Sequence, residues 1–147
     1  MHPLEPYFVV ITVVLVLLII LLSARRVSRK REAKLAASRP SESVESFVES
    51  FRPEVQPIAR AMYAEFQQYT SIGKVPLRKS DPAAQTLSMG KEDLEDALLR
   101  VAKQFGCRKP TKEDEVKFRA RETFEDYVEF IHHLIVTKQQ AEHSRVG

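Results

Sequence analysis

Three groups of side chains in this chain are of types that do chemistry: the adjacent His132 and His133, the single Cys107 followed by Arg108 and Lys109, and the acids Glu92, Asp93, Glu95 and Asp96. Each points to a different class. Paired histidines suggest a metal. On a helix, however, neighbouring side chains diverge by about 100°, so the two rings do not readily share one tetrahedral ion. The better helical spacings, His132 with Glu129 or Asp126–Glu129–His133, lack a second cluster elsewhere to complete a site. A thiol beside cations suggests a lowered pKa and a nucleophile, yet no histidine is close in sequence to act as its base. The expectation for Cys107 is a small apolar residue at the start of a loop. The acids fall at capping and surface spacings and form no recognisable acid/base pair. There is no Walker motif, dinucleotide fingerprint or nucleophile elbow. The chain does not read as an enzyme, and no metal or cofactor is expected.

What positions these groups begins with the membrane. Tyr7 to Leu22, YFVVITVVLVLLIILL, is unbroken apolar sequence apart from Thr12, and Ser23 and Ala24 extend it to 18 residues. As a helix that is roughly 27 Å, close to the ~30 Å hydrocarbon core of a bilayer. Val and Ile favour strands in water, but in lipid only a helix satisfies its own backbone. A cleaved signal peptide is the competing reading, and three features oppose it. The segment MHPLEP has no Lys or Arg, LLSA is a poor cleavage site, and the basic RRVSRKREAK that follows translocates badly. An uncleaved anchor is expected. The run holds no glycine, so it offers no GxxxG dimer face.

Residues 25–39 carry seven bases and one acid, Glu32, whereas the other flank has only Glu5 and the amino terminus. The positive-inside rule then predicts a single-pass protein of the inner (cytoplasmic) membrane with its C-terminal domain in the cytoplasm. The lone cysteine suits a reducing compartment. The net charge of +3 belongs to the front of the chain: residues 1–39 hold seven bases against two acids, and residues 40–147 hold 16 bases against 18 acids. Arg25, Arg26, Arg29, Lys30, Arg31 and Lys34 are therefore candidates for anionic lipid headgroups, at roughly 1 kcal/mol each near a charged surface, beside their plainer role as topology signal. Nucleic acid is not an expected partner, because the folded part has no basic patch interleaved with glycine or aromatics.

Four regions are predicted: an N-terminal segment and transmembrane helix (1–24), a flexible basic and polar tether (25–46), a soluble helical domain (47–138) and a frayed tail (139–147). Within the domain, Phe47, Phe51, Val55, Ile58, Met62, Phe66 and Tyr69 fall on one helical face. Pro53 and Pro57 predict a short lead-in to about Phe51, a break, and a main helix ending near Tyr69. Residues 71–89 read as a long connection in which Val75, Leu77 and Leu87 can tuck into the core. A helix from Lys91 to Phe105 follows, with Gly90 as N-cap, Asp93 reaching back to it, and Leu94, Leu98, Val101 and Phe105 as its buried stripe, flanked by Ala97 and Ala102. Gly106 is placed to end it in the left-handed conformation. Capping boxes at Thr111/Asp114 and Thr123/Asp126 predict a short helix over 112–118 and a long one over 124–138. The long one turns Phe124, Tyr127 or Val128, Ile131, Leu134 and Ile135 inward.

From Val55 to Leu134 this pattern resembles the acyl carrier protein fold. Leu87 stands at the leucine of that family's loop motif, Asp93 at the acid after its carrier serine, and Phe105-Gly106 with Pro110 and the acids beyond at its helix-two exit and acidic third helix. TFEDYVEFI resembles the family's last helix. Leu87 to Pro110 match without a gap, while residues Arg119–Arg121 depart from the usual spacing. The chain is also similar in pattern to small uncharacterised bacterial acyl-carrier-like proteins. The resemblance implies an all-α fold: a transmembrane helix followed by a four-helix bundle with a long first loop and a short third helix. It also places Gly90-Lys91-Glu92 where the family has Asp-Ser-Leu. That serine accepts phosphopantetheine and Lys91 cannot, so carrier activity does not transfer. Ser88 is the nearest alternative attachment point. What the resemblance leaves is a docking helix, with Lys91, Glu92, Asp93, Glu95 and Asp96 as its candidate surface. The expected function is a non-enzymatic, membrane-anchored adaptor for a cytoplasmic or membrane protein. The alternatives are an acyl or aminoacyl carrier modified at Ser88, and a lipid-surface binder acting through the basic segment.

Overall fold

The computed structural model describes residues 5–144. They form seven α-helices and no strand: α1 (Glu5–Ser38), α2 (Val44–Glu49), α3 (Gln56–Gln67), α4 (Ala83–Thr86), α5 (Lys91–Gln104), α6 (Lys112–Lys117) and α7 (Phe124–His143), with a 3-10 turn at Pro53–Val55 leading into α3. α1 is long and apolar enough to cross a membrane, with a mean hydropathy of 3.1 over its most apolar window and none of that window buried.

The expected tether is corrected first. Residues 25–38 are helical and continue α1 without a break. The apolar run supplies the helix nucleus, so each following residue only propagates it, and RRVSRKREAKLAA consists largely of good helix formers. Pro40 restricts the residue before it and helps end the helix. This stem is also docked. The buried Glu32 accepts hydrogen bonds from the backbone N–H groups of Ser71 (2.8 Å) and Ile72 (3.1 Å) and from Ser28 Oγ (3.0 Å). Leu35 packs against the core. Arg39 closes the joint with a two-pronged pair to the buried Asp81 (2.6 and 2.9 Å) and a bond to Pro76 O (3.2 Å).

α3 lies at the centre of the folded part, packed on α2, α5 and α7. Ser43 and Ser46 cap α2 reciprocally and aim Phe47 and Val48 inward. Phe47 meets Phe51 and Tyr63 with ring centroids at 5.2 Å and Phe124 at 5.9 Å, and Phe124 meets Phe66 at 5.3 Å. The long connection is held in place by its own backbone partners. Gln67 donates to Val75 O (2.7 Å) and accepts from Val75 N (2.8 Å), so Val75 is fully buried with its backbone polar groups satisfied, and Leu77 is fully buried beside it in sequence. The orphan N–H groups at the head of α7 are taken up by the same connection, Phe124 N by Asp81 O and Glu125 N by Lys79 O.

The remaining boundaries differ in detail. α4 is a short helix inside the predicted connection. Both threonine capping boxes form, and Gly106 has φ +61°. Asp93 makes no hydrogen bond to the Gly90 N–H; its Oδ2 lies 3.7 Å from where a Cβ on that glycine would sit. α7 runs five residues past the predicted end, so residues 139–143 of the expected tail are helical, and 145–147 lie outside the described residues. Leu94, Ala97 and Val101 form the buried stripe of α5, while Leu98, Ala102 and Phe105 are only half-buried at its edge.

Candidate functional site

α5 presents its first two turns entirely to solvent. Lys91, Glu92, Asp93, Glu95 and Asp96 are all exposed. Lys91 approaches Glu95 at 3.7 Å across one helical turn, a surface contact of little energetic weight. Glu92, Asp93 and Asp96 have no ion-pair partner among the described residues. Farther along, Arg100 is engaged with Glu65 (3.3 Å) and lies over the Tyr69 ring at 5.9 Å. The helix is thus acidic at its head and basic at its end, where Lys103, Arg108 and Lys109 gather.

Beside this face runs a cleft of about 570 Å³ between α5, the loop after it, and α7. Phe130, Ile131 and Leu134 of α7 form its buried floor. Leu98, Leu99 and Ala102 form one wall, and Glu95, Lys103, Arg108 and Arg121 stand at the rim. Leu99 is 62% exposed. A second cleft of about 450 Å³ adjoins it toward α6 and shares Glu95, Leu98, Glu115 and Arg121 with the first. Arg121, in the stretch where the spacing departs from the acyl-carrier pattern, lies over the Phe130 ring at 4.2 Å and pairs with Glu115 at 3.0 Å. Sequence reading placed Leu98 in the core and passed over Leu99 and Phe130. The signal was an apolar doublet, Leu98-Leu99, one position too wide for the buried stripe.

Ser88 is exposed at the end of α4, two residues before the α5 N-cap, and adopts φ +52°. A side chain in that left-handed region costs about 1–2 kcal/mol. Ser88→Gly is therefore expected to stabilise the fold by about 0.5 kcal/mol after the extra chain entropy of glycine is subtracted. A thermal-unfolding comparison of the two full-length chains in micelles checks this.

The two histidines serve different partners. His132 Nδ1 lies 3.3 Å from an Arg52 nitrogen, and Arg52 pairs with Glu129 at 2.6 Å. His133 Nε2 lies 2.9 Å from Asp114 Oδ1. Asp126 is occupied in capping α7. Among the described residues no group of three or more His, Cys, Asp and Glu is placed to hold a metal. Asp114 is the most heavily bonded side chain of this end. It takes two bonds from Arg108 (2.6 and 2.9 Å) and caps α6 through Thr111 N and Oγ1. The Arg108 guanidinium, outweighing the opposing effect of burial and helped by Thr111 and His133, holds the Asp114 carboxyl far below the usual carboxylate range. Cys107 moves the other way from what its basic neighbours suggest: burial pushes its thiol up, and Lys138 offsets this only in part.

No family model, curated protein or solved structure matches this chain. The six basic candidates of the stem, Arg25, Arg26, Arg29, Lys30, Arg31 and Lys34, are all exposed. By helical periodicity they occupy the broad arc that Ser28, Glu32, Leu35 and Arg39 leave uncovered.

Proposed function

We propose that this chain is a non-enzymatic, single-pass membrane adaptor of the inner membrane, its helical domain in the cytoplasm, on an acyl-carrier-like bundle that lacks the carrier serine. The observation that supports this reading is the exposed surface of α5: an acidic head in which Glu92, Asp93 and Asp96 have no ion-pair partner among the described residues, continuous with a cleft whose floor is apolar and whose far rim is basic. Such a surface suits an amphipathic helix of a protein partner, carrying bases over Glu92, Asp93 and Asp96, acids over Lys103 and Lys109, and apolar residues in the cleft. Charged rims set orientation and partner choice more than affinity. A photo-crosslinking residue at Leu99, in full-length protein in its host membrane, is expected to trap one partner. Charge reversal by Glu92→Lys with Asp96→Lys should abolish the adduct while circular dichroism stays unchanged. An adduct that survives reversal counts against the docking surface.

One observation favours a second reading, a membrane-tethered carrier of acyl or aminoacyl groups. Ser88 is exposed on a left-handed turn next to the head of α5. The intact mass of the chain purified from its own cells separates the two readings, because a phosphopantetheine adduct mapping to Ser88 would replace the adaptor by the carrier.

A further inference from the structure

The stem of α1 is a docked helix, and its contacts run in order along its axis. Nearest the apolar run, Ser28 and Glu32 hold the turn at Ser71 and Ile72; farther out, Leu35 meets the core, and farthest, Arg39 holds Pro76 and Asp81. Of the segments the stem touches, the turn after α3 is therefore the one nearest the apolar run. Its height follows from helix geometry. Glu32 lies eight residues beyond Ala24, about 12 Å along the axis. Helical side chains lean toward the N-terminus, and the bond from Ser28 draws the Glu32 carboxylate back by part of a turn. The N–H groups of Ser71 and Ile72 thus lie on the order of 10 Å beyond the apolar run. The headgroup layer is about 5–8 Å thick on each side, and because the turn stands to one side of the helix axis, a tilt of about 20° toward the domain lowers it into that layer. The residues this brings to the surface suit it. Ile72 is 39% exposed and Lys74 is exposed, so an apolar side chain and a cation stand beside the basic collar of the stem.

We propose that residues 70–74 form a second contact with the bilayer, seated in its anionic headgroup layer and held there by Glu32, so that the domain stands on the membrane at a set height and orientation. The inference rests on α1 spanning the bilayer. The protein has no tryptophan, so each substitution introduces a single emitter. Full-length Ile72→Trp, Leu15→Trp and Glu54→Trp are placed in vesicles of phosphatidylcholine and phosphatidylglycerol whose acyl chains are brominated both close to the headgroup, to reach Ile72→Trp, and near the chain end, to reach Leu15→Trp at mid-bilayer. Glu54 is exposed at the opposite end of α3 from this turn, about 18 Å away. The expected result is loss of emission for Leu15→Trp and Ile72→Trp, a shift of Ile72→Trp to shorter wavelength, and unchanged emission for Glu54→Trp. Adding Glu32→Ala to Ile72→Trp should restore its emission. Quenching at Leu15→Trp but no more at Ile72→Trp than at Glu54→Trp overturns the second contact and leaves the anchor standing. No quenching at Leu15→Trp overturns the anchor and the contact together. Quenching at Ile72→Trp that survives Glu32→Ala overturns the positioning role of Glu32.

Discussion

Phe47→Ala is expected to destabilise the domain by about 3–5 kcal/mol, the range for removing a large aromatic from a closed core. Phe47 is 1% exposed and its ring touches those of Phe51, Tyr63 and Phe124, which join α2, α3 and α7. Each edge-to-face contact adds about 0.5–1.5 kcal/mol beyond the area it buries. A domain of this size has about 5–15 kcal/mol in total, so the substitution removes a large part of it. Phe47→Leu, which keeps most of the volume, should cost markedly less. Urea unfolding of the full chain in micelles, followed by near-ultraviolet dichroism, reads only the folded aromatic cluster and not α1. A loss below about 1 kcal/mol would mean that α2 is an appendage and not part of the core.

Asp114→Asn is the second large effect, about 3 kcal/mol, because it leaves the Arg108 guanidinium and the head of α6 without their shared acceptor. Asparagine keeps the shape and loses the charge. The same carboxylate sets a pH dependence whose sign follows from its depressed pKa. In the unfolded chain an aspartate titrates near about 3.9, and in the folded domain it stays ionised to lower pH. Its contribution is therefore complete above about pH 4 and is lost as the pH falls below that toward the folded value. Asp126 is also depressed: burial opposes ionisation, but the N–H groups of Glu122 and Thr123 and the Thr123 hydroxyl outweigh it, so some acid sensitivity remains in the variant. Melting temperatures of both proteins between pH 5 and pH 2 should converge as the pH falls. Parallel curves would show that Asp114 is not the titrating group.

The joint between stem and domain would not have been drawn from composition. Seven bases among residues 25–39 suggest a solvated, self-repelling strand, and the single acid among them looks incidental. That acid is 2% exposed and carries the contact to the turn at Ser71–Ile72. Helix propensity in the same stretch was the better guide, since Ala, Leu, Lys, Arg and Glu extend an existing helix at almost no cost.

Features set by neighbours a few residues apart were legible in the amino-acid order alone. The apolar length of α1, the capping boxes of α6 and α7, the left-handed Gly106 and the burial of Val75, Leu77 and Leu87 all belong to this kind. Caps and periodic stripes act within about four residues, so the pattern carries them. Only the tertiary structure decided that Glu32 meets Ser71 across 39 positions, that Arg39 meets Asp81 across 42, and that Asp114 meets His133 across 19. It also decided that Leu99, Phe130 and Arg121 border one cleft. Such contacts depend on the angles and offsets at which helices pack, and no local spacing records those.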